Sequence, residues 1–361
     1  SPDQSDILTY HKADVPEPSG PTMDLTATNI VIATGAKPRP LPGNPFAGAL
    51  IDSTQALEVN EFPSSAVIIG AGAIALEFAS MWNAAGSKVT LLIRKDRVLS
   101  AWDRRAGTTL TRELKRHGVN IITRASVTHV DTGANLGATV HYTREGQDGE
   151  QSVWGEIALV AIGRDPITDP AWGVTIDDHG HVATDAYGRT DKPGVWAVGD
   201  VTAGHALAHR AFEQGIVIAE TIAGLNPKPV DEATVPQIVF SFPEAASVGL
   251  TVEQAQARED LIEIKETNYP MLANARMLMS GTAGSLTIVS GCDAANPDTP
   301  RVLGVHMVSQ MASDIIAEAE QLVGNHVPLA DAARLVHPHP TFSETLGEAL
   351  LKADGRPLHT R

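Results

Sequence analysis

The sequence predicts an α/β protein: an open parallel sheet with crossover helices over most of the chain, then a separate α+β domain past Val230. Three observations carry this. Short apolar, β-branched runs alternate with segments of helical spacing. A glycine turn, Gly70-x-Gly72-x-x-Ala75, stands between one such run and one such segment. After Pro227 and Pro229, which make a linker, the pattern changes to strand-like and helical stretches without that alternation.

Taken in order, residues 1–29 are polar and rich in Pro and Ser, with one short strand at 7–10. Residues 29–34 (NIVIAT) read as a buried strand ended by Gly35, and Pro38, Pro40, Pro42 and Pro45 forbid regular structure behind it. The run 66–69 is the next buried strand. Residues 73–84 form a helix with Ile74, Phe78, Met81 and Trp82 on one side, and 88–93 form a further strand. A helix at 105–117, ended by Gly118, leads to a strand at 120–123. Residues 127–130 and 139–142 read as an antiparallel pair, 157–162 as a buried strand ending at Gly163, and 194–198 as a strand stopped by Gly199-Asp200. A helix runs from about 206 to 223. In the tail, 238–241, 286–289 and 302–308 are strand-like, 251–254 fits a capping box, and 312–323 and 346–351 are helical. There is no internal repeat.

Composition narrows the function classes. The chain has 361 residues, 43% apolar and 19% charged, which is globular and long enough for two or three domains. Its net charge of −16 repels phosphate backbones, so nucleic acid is excluded as a partner. The longest apolar run, 66–76, is 11 residues, short of the roughly 20 that span a membrane. Cys292 is the single cysteine, which excludes an intrachain disulfide and a Cys-rich metal site. His337 and His339, two apart and flanked by prolines without a thiol or acid cluster, give no metal site either. The expected setting is cytoplasmic.

The glycine turn has a specific chemistry. Gly70 permits the tight turn, Gly72 lets the backbone approach a pyrophosphate, and the small Ala75 lets the helix pack on its strand. An NAD site places an acid about 20 residues on, against the ribose 2′-OH. Here Ile93-Arg94-Lys95-Asp96-Arg97 stands instead. Arg94 and Lys95 suit the 2′-phosphate of NADP, which is favoured; an inward Asp96 would leave NAD. Glu77, charged within an apolar helix, needs a partner: it either caps backbone or contacts the nicotinamide ribose. Val127 is counted with these nucleotide-binding candidates. Gly199-Asp200 ends a strand with a glycine that admits close approach and an acid able to accept hydrogen bonds from a polyol.

Further segments carry a resemblance. Val31-Ile32-Ala33-Thr34-Gly35-x-x-Pro38, Ala158 to Pro166 with Gly163-Arg164, the 190–201 strand ending in Gly199-Asp200, Leu207-Ala208-His209, 236–250 and His337-Pro338-His339-Pro340-Thr341-x-Ser343-Glu344 follow one another in a familiar order. Together they resemble the pyridine nucleotide–disulfide oxidoreductases, the two-dinucleotide flavoproteins that include dihydrolipoamide dehydrogenase, glutathione reductase and mercuric reductase. The end of the chain, Gly355 to His359, is most similar to the dihydrolipoamide dehydrogenases, while Arg94-Lys95 is similar to the NADPH-using glutathione reductases.

The resemblance implies a fold of two Rossmann-like dinucleotide-binding domains, the first of FAD type and incomplete, plus a C-terminal α+β interface domain. Residues 1–60 and 180–229 would form the partial FAD-binding domain, 61–179 the NAD(P)-binding domain, and 230–361 the dimerisation domain. It implies FAD at Thr34, Gly35, Gly199, Asp200 and Ala208, and NADP or NAD at Gly70, Gly72, Ala75, Glu77, Arg94, Lys95, Val127, Gly163 and Arg164. It implies NAD(P)H:disulfide oxidoreduction on a small-molecule or protein-bound disulfide, in a homodimer, with His339 moving the proton to or from a thiol and Glu344 orienting the imidazole. Thr341-x-x-Glu344 is also a capping box, so Glu344 has a structural reading beside that one. The family's first GxGxxG unit and its Cys-x-x-x-x-Cys helix have no counterpart here, so the chain, with Ser1 first, is expected to begin inside the flavin domain. A catalytically dead dinucleotide-binding and dimerising module is the alternative of another class.

Overall fold

The apolar runs at 66–69, 88–93, 120–123 and 157–162 become neighbouring parallel strands. The structure, a computed structural model, describes residues 25–133 and 137–360. The strand predicted at 7–10 lies outside the described residues. Two compact units divide the chain, one of 25–37 with Arg164–Glu232, the other of Pro38–Gly163 with Ala233–Arg361.

In the larger unit five parallel strands lie in the order Leu50–Ile51, Ile157–Val160, Ser65–Ile69, Lys88–Leu92, Asn120–Ile122. The register sets Ile68 between Leu91 and Leu159. Both faces of the sheet are covered, which is why its strands read as continuous apolar runs. On one face Ile68, Leu91 and Leu159 pack with Leu76, Ala79 and Trp82 of helix Ala73–Ala84 and with Leu110 and Leu114 of helix Arg104–Arg116. On the other, Val67, Ile69, Leu92 and Val160 pack with Val140 and Tyr142 of a three-stranded antiparallel sheet, Ala125–Asp131, Ala138–Arg144 and Gln151–Gly155. Helix Arg104–Arg116 starts on Asp103, whose buried carboxylate accepts the Ala106 N–H at 2.8 Å.

A second five-stranded sheet, antiparallel throughout, runs Gln237–Val239, Glu244–Gly249, Asn296–Ser309, Ser285–Asp293, Leu261–Pro270. Helix Ala312–Gly324 turns Ile315, Ile316, Ala319, Leu322 and Val323 into its core, the spacing of one helical face. Helix Glu344–Ala353 adds Leu346, Ala349 and Leu350 to the same core. The predicted capping box is formed in both directions, Gln254 N–H to Thr251 Oγ1 and Thr251 N–H to Gln254 Oε1.

The smaller unit pairs Ile30–Ile32 in parallel with Val195–Ala197, and helix Ala208–Ile222 follows. Pro38 closes a short strand, Ala36–Pro38, paired with Arg164–Pro166, so regular structure does continue behind Gly35; proline is tolerated at a strand end. Met81 is also corrected: it lies about 120° around the helix from Ala75, Ala79 and Trp82 and faces solvent. Gln151–Gly155, Glu244–Gly249 and Leu261–Pro270 are strands absent from the sequence reading. Among the described residues no helix is long and apolar enough to cross a membrane.

Candidate functional site

Strand Ser65–Ile69 connects forward to Lys88–Leu92 on one side and lies against Ile157–Val160 on the other, so strand order reverses at its carboxyl end. Ligands of open α/β sheets bind in the crevice outside such a reversal. The Gly70–Gly72 turn stands there. Gly70 has φ +141°, and a Cβ on it would come 2.1 Å from Ala161 O, so only glycine fits. At Gly72 a Cβ would meet nothing within 4 Å. Gly72 is the N-cap of helix Ala73–Ala84 and offers no side-chain cap, so the N–H groups of the first turn face an open cradle. Ala75 is fully buried and its Cβ lies 3.4 Å from the position a Gly70 Cβ would take. Gly163 stands beyond the end of Ile157–Val160, and its carbonyl accepts the Arg39 N–H at 3.0 Å.

The remaining nucleotide candidates disperse. Glu77 Oε1 accepts the Phe240 N–H at 3.0 Å, a backbone partner. Arg94 and Lys95 are exposed beyond Lys88–Leu92. Asp96 pairs with Arg97 at 3.2 Å, and Arg97 also donates to Ser100 O at 3.1 Å. Val127 packs, half-buried, with Val140 and Tyr142.

In the smaller unit, Ile32 lies opposite Ala197, so Thr34-Gly35 and Gly199-Asp200 emerge at one carboxyl edge of the parallel pair. Thr34 Oγ1 donates to Ile167 O at 2.6 Å, and the Gly199 N–H donates to Gln214 Oε1 at 3.0 Å. A Cβ on Gly35 would again meet nothing within 4 Å. Ala208 opens its helix behind Leu207, which supplies no side-chain cap. Arg164 donates to Ala36 O.

In the tail, His339 Nδ1 lies 2.7 Å from Glu344 Oε1. The imidazole is 67% exposed, the carboxylate 17%. Thr341 Oγ1 accepts the Glu344 N–H at 3.3 Å, one half of the predicted capping box, while the Glu344 carboxylate turns to His339. Two residues before it, the His337 side chain is buried: its Nε2–H donates to Glu318 Oε1 at 2.9 Å, and that bond raises its pKa against the opposing effect of burial. The ring lies where a Cβ on Gly347 would be, 2.3 Å from His337 Nδ1. Cys292 is fully buried in Ser285–Asp293, and burial pushes its thiol pKa up.

Sequence reading missed one cluster. The antiparallel sheet brings His129, His141 and Glu150 together with one ligand atom of each within 4.8 Å of the others. The signal, two histidines on strands that pair across a hairpin, was readable only with the register in hand.

An open sheet with a glycine turn at its reversal point, a second parallel strand edge ending in glycines, and a His–carboxylate pair where a loop meets helix Glu344–Ala353 are the layout of a two-dinucleotide oxidoreductase. Residues 4–215 match the pyridine nucleotide-disulphide oxidoreductase family, residues 235–350 match the dimerisation domain of the same group, and the chain belongs to that family. The dihydrolipoyl dehydrogenases of Cupriavidus necator and Bacillus subtilis are 38% and 36% identical to it, over 93% of this chain and 70% of each relative. Among solved structures, LpdA from Mycobacterium tuberculosis superposes with a TM-score of 0.82 at 27% identity, covering 93% of this chain and 72% of that one. The HOCl-induced flavoprotein disulfide reductase RclA from Escherichia coli gives 0.79 at 27%, covering 91% and 74%. The expected fold class and the expected class of activity are therefore borne out: the chain is a disulfide oxidoreductase of flavin- and pyridine nucleotide-dependent type with a dimerisation domain.

Proposed function

We propose that the chain serves dithiol–disulfide exchange of the dihydrolipoyl dehydrogenase kind, with His339 as proton carrier and Glu344 as its orienting group. The 2.7 Å contact between them carries this reading. An ionised carboxylate only accepts, so Nδ1 holds the hydrogen and Nε2 presents its lone pair. The ring is mostly exposed, which suits a base that meets a thiol brought by a second polypeptide. A homodimer is part of the reading, supported by the matched dimerisation domain. So is a cytoplasmic setting. Cys292, the single cysteine and fully buried, does not supply the thiol.

The two coenzyme positions fit their groups. The open cradle at Gly72, before uncapped helix N–H groups, fits a pyrophosphate, with Gly70 and Ala75 close-packed in the same turn and Gly163 beyond the end of the adjoining strand. The edge at Thr34, Gly35, Gly199 and Asp200, with the helix start at Ala208, fits FAD. When bound, these groups supply the hydride chemistry that side chains lack. For the nucleotide, exposed Arg94 and Lys95 support NADP(H). The dihydrolipoyl dehydrogenase relatives lend that preference no support, and NAD(H) stays the alternative. Glu77 Oε1 holds the Phe240 amide, which supports its backbone-capping reading over the ribose contact.

The test is His339→Ala in the chain joined to a Cys-x-x-x-x-Cys flavin segment. Lipoamide-dependent turnover falls by roughly 10²–10⁴, while NAD(P)H oxidation with a dye acceptor holds. An equal loss in both refutes the role. The single buried cysteine favours a second reading, a dinucleotide-binding and dimerising module without turnover; lipoamide-dependent NAD(P)H oxidation by the chain alone refutes it.

A further inference from the structure

The three-stranded sheet behind the nucleotide-binding strands carries a polar cluster that the oxidoreductase reading leaves unused. His129 and His141 are directly opposed across the antiparallel pair Ala125–Asp131 and Ala138–Arg144. Their rings stack at 4.1 Å with planes 8° apart. One edge of the stack faces Glu150, with His129 Nδ1 at 3.8 Å from Oε1 and His141 Nδ1 at 3.6 Å from Oε2. The other edge faces Asp131 Oδ2, at 3.1 Å from His141 Nε2 and 3.9 Å from His129 Nε2.

We propose that His129, His141 and Glu150 form a surface site for a late first-row divalent metal ion of the Zn²⁺ class, bound through the two Nδ1 atoms and the Glu150 carboxylate. Ligand atoms 2.1 Å from a tetrahedral centre stand roughly 3.4 Å apart. The two nitrogen–carboxylate separations, 3.8 Å to Oε1 and 3.6 Å to Oε2, run to different oxygens of Glu150, and one ligand atom from each residue lies within 4.8 Å of the others, so the side chains must draw in by up to about an ångström to close on one ion. Stacked rings send their lone pairs parallel, so both imidazoles must tilt toward Glu150 to share one ion. His129 is half exposed, which gives it room to tilt.

The outer contacts match what metal sites use. A ligating histidine donates its second N–H to a carboxylate, which fixes tautomer and ring orientation. Asp131 Oδ2 accepts from His141 Nε2 at 3.1 Å, while His129 Nε2, at 3.9 Å, reaches it only after the ring tilts. Thr128 Oγ1 donates to Glu150 Oε1 at 2.6 Å and steadies the third ligand. Two imidazoles and a carboxylate suit Zn²⁺, Ni²⁺ or Cu²⁺ rather than Mg²⁺ or Ca²⁺, which prefer oxygen ligands. The fourth position stays open to water. The inference does not depend on the disulfide chemistry proposed above.

The test uses the chain as it is. Isothermal titration with ZnCl₂ is compared for wild type, His141→Gln and Glu150→Gln, with circular dichroism to check folding. One ion per chain binds the wild type, and each variant weakens it by at least about 10–100-fold, the loss that even outer-shell changes produce. Affinity unchanged in folded variants overturns the proposal, as does wild type without saturable one-to-one uptake. A second measurement needs no variant. Co²⁺ added to wild type gives the intense visible band of a four-coordinate ion; the pale spectrum of the hydrated ion overturns the site.

Discussion

Two glycines two residues apart do different work, and alanine at each separates fold from binding. At Gly70, φ is +141° and an added Cβ would lie 2.1 Å from Ala161 O and 2.8 Å from Ala161 C. Both atoms are backbone of the adjoining strand and cannot swing away. Backbone strain of about 1–3 kcal/mol and overpacking of a further 1–3 kcal/mol make Gly70→Ala costly. At about 2–4 °C per kcal/mol for a domain of this size, the melting temperature falls on the order of 10 °C. Gly72 is the opposite case. Its φ of −91° and ψ of −176° are extended backbone that any residue adopts, and nothing lies within 4 Å of an added Cβ. The gain from a stiffer unfolded chain, about 0.4–1 kcal/mol, offsets the slightly poorer N-cap, so Gly72→Ala melts near wild type. What changes is the cradle. A methyl there lifts a pyrophosphate off the helix amides, and losing hydrogen bonds to a charged group, worth about 1.5–3 kcal/mol, weakens NAD(P)H binding about 10–100-fold. Thermal unfolding and calorimetric titration with NADH and NADPH measure both quantities. The reasoning fails if Gly72→Ala loses as much stability as Gly70→Ala, or binds nucleotide as wild type does.

Arg94→Glu lowers affinity for NADPH relative to NADH by about tenfold if the guanidinium meets a 2′-phosphate; an unchanged ratio in parallel titrations shows a merely solvated turn. Glu318→Gln removes the hydrogen bond that raises the His337 pKa. A raised histidine contributes stability in full below its unfolded value of about 6.5 and loses it as pH climbs through the higher native value. The melting-temperature gap between wild type and Glu318→Gln is therefore widest on the acid side, while Glu318 stays ionised, and closes toward alkaline pH; a gap that widens upward refutes the pairing. Asp103→Ala strips the cap from Arg104–Arg116 and costs about 0.5–2 kcal/mol in urea unfolding, toward the upper end because the carboxylate is buried; no change in midpoint refutes its role.

Strands whose two faces are both covered announce themselves as unbroken apolar runs, so Ser65–Ile69, Lys88–Leu92 and Ile157–Val160 were readable from residues alone. The glycine turn was readable because each of its positions has a steric reason. Edge strands were not: Gln151–Gly155 and Leu261–Pro270 pair on one side only, mix polar and apolar residues without a clean period, and carry no unbroken apolar run. Contacts set by register or tertiary packing were equally hidden. His337, in a loop, finds Glu318 nineteen residues away on helix Ala312–Gly324, and His129 meets His141 only because the hairpin aligns them. Glu77 needed a partner by its chemistry, but nothing local could say that the partner is the Phe240 amide.

The bare turn at Gly347 leaves room for the imidazole of residue 337, which in turn reaches the acid at 318. Any larger side chain at 347 would evict that ring, stranding the acid without its mate. These three positions can therefore drift over evolutionary time only in concert, and homologous chains that abandon glycine at 347 should carry compensating replacements at both of the others.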